Sequence, residues 1–74
     1  MKRQEVESSQ IKSIGHNGAS TLEVEFHGKG DTTNVYQYKE VPASVFNQII
    51  SADSVGRAFI ALVKKNPEYN HIKL

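Results

Sequence analysis

Apolar positions alternate with polar ones through the first half of the chain and recur at helical spacing through the second, which predicts strands first and helices after. In residues 6–14, Ile11 and Ile14 stand among polar neighbours in a broken alternation, the mark of a first strand carrying a bulge. Gly15-His16-Asn17-Gly18 then predicts a turn. The clearest strand covers residues 21–27, with Leu22, Val24 and Phe26 on one face and Glu23, Glu25 and His27 on the other, one side core and one side water. Residues 28–34 have no periodicity and two glycines, and they predict a hairpin loop longer than a tight turn. A third strand over residues 35–41 puts Tyr36 and Tyr38 on one face, because strand side chains alternate with period two.

Pro42 follows, and its fixed φ suits the first position of a helix. Val45, Phe46, Ile49 and Ile50 form one apolar stripe of that helix, which ends in Ser51-Ala52-Asp53-Ser54. Asp53 or Ser54 caps a second helix, whose Val55, Ala58, Phe59, Leu62 and Val63 repeat at helical spacing until Lys64-Lys65-Asn66-Pro67 stops it. Gly56 costs this helix about 1 kcal/mol relative to alanine. A close approach of its backbone to the first helix or to the tyrosine strand is therefore expected. The tail after Pro67 either lies along the sheet edge or frays, with Tyr69 and Ile72 as its obvious anchors. The expected architecture is α+β, a three-stranded antiparallel β-meander followed by two helices packed on one sheet face, with residues 1–74 as one domain.

Length and composition narrow this picture. Seventy-four residues support one core, and with no cysteine that core has neither disulfides nor thiolate metal sites to supplement it. Gln4, Glu5, Glu7, Ser8, Ser9 and Gln10 follow the basic start where an export signal would be apolar, so cytoplasm is the expected location. The longest apolar run, residues 58–63, is far short of the roughly 20 residues that cross a bilayer, and no membrane association is expected. Nine Lys and Arg against eight Asp and Glu leave a formal charge of +1, so any basic site must be local.

Paired aromatics on a sheet can stack on unpaired bases, which makes Tyr36 and Tyr38 the first candidates. The opposite choice of face would bury Gln37 and Lys39 without evident partners, so the tyrosines are expected to pack toward the helices with their hydroxyls at a polar rim. The other sheet face would then carry Glu23, Glu25, His27, Gln37 and Lys39, and its two hydrated carboxylates would repel phosphate. A local anion site is better built from Arg57, Lys64 and Lys65 on the outer side of the second helix with Lys73 in the tail, although the same residues also read as a solvated basic face. Gly28-Lys29-Gly30-Asp31 joins two strands and lacks the spacing and following helix of a P-loop. His16, His27 and His71 are dispersed as surface or rim histidines, so no metal is expected. No serine has the partners of a nucleophile, and neither an enzyme nor a cofactor is expected.

The order Ser8-Ser9, Ile11, Ile14-Gly15, Leu22-Glu23-Val24-Glu25-Phe26, Tyr36-Gln37-Tyr38, Val41-Pro42, Ala52, Ser54, Gly56 and Phe59 resembles the KTSC domain, found at the carboxyl terminus of some lysyl-tRNA synthetases and as small stand-alone bacterial and phage proteins. The resemblance runs over nearly the whole chain, and Tyr36, Tyr38, Pro42, Ser54, Gly56 and Phe59 carry its motifs as structural positions. This sequence has His16 where the family commonly has tyrosine, and a longer loop over residues 28–34. The synthetase context implies RNA, tRNA-like or single-stranded, as the partner, contacted through phosphates by Arg57, Lys64, Lys65 and Lys73. The competing expectation is a protein-interaction or regulatory module that uses an exposed sheet edge or the outer helix surface.

Overall fold

The computed structural model describes residues 2–28 and 34–74. Residues 29–33, and with them most of the glycine-containing loop, lie outside the described residues. Among the described residues, five strands form one antiparallel sheet in sequential order: β1 Gln4–Glu5, β2 Ile11–His16, β3 Leu22–Phe26, β4 Val35–Tyr38 and β5 His71–Lys73. The α+β class is as expected, but three strands was an undercount. The sheet gains an N-terminal edge strand and, at the other edge, the tail, which pairs with β4.

In β2, Ile11 and Ile14 are an odd number of residues apart, and a regular strand would send them to opposite faces. The register shift between Ile11 and Ser13 turns Lys12 out to solvent and leaves both isoleucines buried on the core side. Gly15 and His16 continue the strand rather than turning it. The turn falls one step later, where Asn17 Oδ1 accepts hydrogen bonds from the backbone N–H groups of Ala19, Ser20 and Thr21 at 2.8, 3.1 and 3.1 Å. A Cβ on Gly15 would lie 2.5 Å from the carbonyl oxygen of Lys2, so the missing side chain is what lets the N-terminal segment lie on β2.

Helix α1, Ala43–Ile50, begins after Pro42, which stands as the flanking cap with ψ 150° instead of the first helical residue; its carbonyl accepts from Val45 and Phe46. Helix α2, Val55–Phe59, is capped by Ser54, whose hydroxyl accepts from the Arg57 N–H at 3.3 Å. The regular helix expected through Val63 instead widens into a π-helical turn at Ile60–Lys64, closed by Lys65 N–H to the Ile60 carbonyl at 3.0 Å. Gly56 faces neither α1 nor the tyrosine strand. A Cβ there would meet Gln10 Oε1 at 2.8 Å and Ser8 Oγ at 2.9 Å, so the helix seats on the segment leading into β2.

The core lies between the sheet and the helices and is built around Phe59. Phe26 and Tyr38 meet its ring edge-on at centroid distances of 5.6 and 5.4 Å. His16 closes the far end: its ring stacks on Phe46 at 5.7 Å, its Nε2 donates to the Val41 carbonyl, and its Nδ1 accepts from the Gly18 N–H. The expected rim histidine is thus a half-buried member of the packing. No helix among the described residues is long and apolar enough to cross a membrane.

Candidate functional site

Register decides which side chains share the helix-side face. Tyr36 lies opposite Val24 and Tyr38 opposite Leu22, so the tyrosine face is the core face. Tyr38 is 5% exposed, and burial, with Tyr36 beside it, pushes its hydroxyl above the ordinary value of 10. Tyr36 is only half-buried. The tyrosines therefore differ in burial: Tyr38 belongs to the core, and both rings line a cleft at its edge, where Tyr36 is the more exposed.

Beyond Phe59 this cleft has a volume of about 540 Å³. Phe26, Tyr36 and Tyr38 give it aromatic walls, and His27, Asn34, Lys64 and His71 give it polar ones. Phe26 meets the Tyr36 ring edge-on at 5.6 Å. On β5, His71 lies across from Tyr38 and Lys73 across from Tyr36. The His71 ring is 5.1 Å from that of Tyr38, and the Lys73 ammonium stands 5.9 Å from the centroid of Tyr36. These close approaches follow from the ladder. The Asn70 carbonyl accepts from Lys39 N–H and the Leu74 N–H donates to the Val35 carbonyl, so the His71 and Lys73 pairs are the non-hydrogen-bonded ones, in which side chains are nearer.

The expected basic quartet is divided by the fold. Lys64 lines the cleft, at the end of the π-helical turn, and Lys73 covers one of its walls. Arg57 lines a separate polar recess with Glu7 and Asp53, and Lys65 is exposed at the end of the turn. Phe26, His27, Asn34 and His71 were not foreseen as site residues. The alternation His71-x-Lys73 beside Tyr36-x-Tyr38 would have pointed to the last of them had the tail been paired with the tyrosine strand.

The opposite sheet face corrects a second expectation. Glu23 is not a hydrated surface carboxylate but is only 6% exposed. Arg3 from the N-terminal segment forms an ion pair with it, and Gln37 Nε2 donates to it at 2.9 Å. Arg3 also donates to Ser13 Oγ at 2.9 Å and approaches Glu25 at 3.7 Å, while the Ser13 hydroxyl donates to Glu25 at 3.0 Å. Burial alone would push the Glu23 carboxyl up, but the Gln37 and Arg3 hydrogen bonds and the guanidinium charge outweigh it and hold the group below its ordinary value of 4.5. No group of three or more metal-ligating side chains occurs among the described residues.

The KTSC domain family model matches residues 7–69. A protein of Stutzerimonas stutzeri is 37% identical over 65 residues, covering 86% of each chain. One of Tsukamurella paurometabola is 39% identical over 72 residues, covering 96% of this chain and 98% of its own. The crystal structure of a KTSC domain protein from Yersinia pestis superposes with a TM-score of 0.83 at 35% identity, over 99% of this chain and 96% of that one. With a sequence match over most of its length and a matching fold, the chain belongs to the KTSC domain family.

Proposed function

We propose that this chain is a non-enzymatic module that binds single-stranded RNA in the cleft between β4, β5 and the π-helical turn. The carrying observation is a lining in which aromatic rings stand beside Lys64, with Lys73 over the Tyr36 ring and no carboxylate among the described lining residues. Unpaired bases gain by stacking on aromatic rings, and phosphates by pairing with nearby ammonium groups, so one site serves both parts of a nucleotide. The anion site expected on the outer helix surface moves inward, keeping Lys64 and Lys73 and leaving out Arg57 and Lys65. An RNA ligand keeps cytoplasm as the expected location.

Fluorescence anisotropy with a labelled unstructured RNA tests the reading. Neutralising two phosphates should give a slope of log affinity against log salt of about −1.4 for a single strand. Lys64→Glu combined with Lys73→Glu should abolish that dependence along with most of the affinity. Absence of binding at low salt would sink the proposal.

A second reading, a protein-interaction module, has its own observation. The backbone groups of His71 and Lys73 point away from β4 along an open edge, and Ile72 and Leu74 are 51% and 58% exposed there. A partner recovered in pull-downs that survive nuclease treatment and are lost on Ile72→Asp would favour it.

A further inference from the structure

We infer that the cleft selects a base carrying an exocyclic amino group, adenine above all, and that Asn34 and His27 are the residues that read it. This rests on the reading of the cleft as an RNA site and goes one step further, from what class of polymer enters to which base is held.

Two polar side chains lie in the cleft wall beside Phe26, and the backbone holds both in place. The Asn34 carbonyl accepts from the Phe26 N–H at 2.9 Å, fixing the residue directly across from the first strand of the hairpin. The His27 backbone N–H donates to the Gln10 carbonyl at 3.1 Å, and its ring Nε2 lies 2.9 Å from the Ser8 carbonyl. A carbonyl oxygen can only accept, so Nε2 carries the hydrogen, and in the neutral ring Nδ1 is left as an acceptor.

These groups match one base better than the others. The Asn34 amide offers a donor and an acceptor side by side, the pair that engages the N7 and amino group of adenine together. An acceptor on His27 adds to the demand for a ligand hydrogen and works against a carbonyl at the same place. The aromatic walls favour the larger ring system, since stacking grows with the area covered. A cleft of about 540 Å³ falls in the range that holds one such ligand. Lys64 and Lys73 are then left for phosphate, and the tasks of reading and charge neutralisation fall to different residues.

The test compares short oligoadenylate and oligouridylate, with a third oligomer in which purine riboside replaces adenosine and so lacks only the amino group. For the native chain, oligoadenylate should bind about tenfold or more tightly than oligouridylate, the size of one bidentate base contact. Purine riboside should lose most of that margin, and Asn34→Ala should bring the adenosine and purine riboside affinities together while leaving the salt slope unchanged. Equal affinity for the adenosine and purine riboside oligomers overturns the inference while leaving the RNA reading intact. Failure of all three to bind overturns both. Because the purine riboside comparison alters only the ligand, it remains decisive even if Asn34→Ala disturbs the neighbouring loop.

Discussion

The two sides of the sheet use their polar groups in opposite ways. On the outer face, Arg3, Ser13, Glu23, Glu25 and Gln37 satisfy one another in a continuous network that the N-terminal segment closes over. On the helix side, at the β4–β5 end, Lys64, His71 and Lys73 stand beside aromatic rings, and none of the described residues that line the cleft is a carboxylate. Charge count alone would rank the outer face as the richer site. Pairing reverses the order, because a charge already matched within the fold has little left to offer a ligand.

The change that should do most damage removes the ring between these regions. Phe59 is fully buried and meets both Phe26 and Tyr38, so Phe59→Ala should cost about 3–5 kcal/mol. That is a large share of the stability of a domain this small. Chemical denaturation would measure it, and a loss below about 1 kcal/mol would mean the core is not organised around this ring.

Next in size is the closed face. Breaking the Arg3–Glu23 pair with Glu23→Gln should cost about 1–3 kcal/mol, less than a fully buried pair because Arg3 is partly exposed. Its pH signature is more diagnostic. The folded carboxyl titrates below 4.5, so the unfolded chain binds this proton more readily, and stability rises with pH through that window. The contribution of Glu23 is complete above its unfolded value and disappears as pH falls through the lower folded one. Melting temperature followed from neutral pH into acid should decline less steeply in Glu23→Gln than in the native chain; parallel curves would show that the pair carries no linkage.

The open face should respond in binding rather than stability. Tyr36→Ala removes the half-buried wall of the cleft and should weaken RNA binding by about 1–3 kcal/mol, the contribution of one stacked base. Tyr38→Phe, which keeps the core ring, should leave binding within a few-fold of native, and an equal loss in both would erase the division between core and wall.

What the sequence made legible follows from how local each signal is. Alternation around Leu22, Val24 and Phe26 and helical spacing from Val55 to Val63 are properties of neighbouring residues, and both elements formed where expected. The bulge was visible for the same reason, since Ile11 and Ile14 cannot share a face without one. The strand His71–Lys73 has one apolar residue, and that residue is exposed, so no periodicity could announce it. Yet that strand makes the cleft. Glu23 alternates like a surface residue, and only Arg3, distant in sequence, converts it to a buried one. The π-helical turn leaves the apolar spacing unbroken, and nothing in the side-chain pattern distinguishes its hydrogen bonds from those of an α-helix.

The smallest expected effect separates the open cleft from the basic surface around it. Arg57 and Lys65 have the same charge as Lys64, and in the sequence the three read as one patch. Arg57 lies in a recess with Glu7 and Asp53, where any phosphate would meet two carboxylates, and Lys65 projects into solvent at the end of the turn. An exposed charge outside the cleft acts on a bound phosphate only through solvent, where salt screens it. Arg57→Ala and Lys65→Ala should therefore change RNA affinity by less than about twofold at that salt, with a somewhat larger effect when salt is lowered. Lys64→Ala, one residue away from Lys65, should lose clearly more under the same conditions. Equal losses at adjacent Lys64 and Lys65 would mean that RNA follows the outer helix surface rather than entering the cleft.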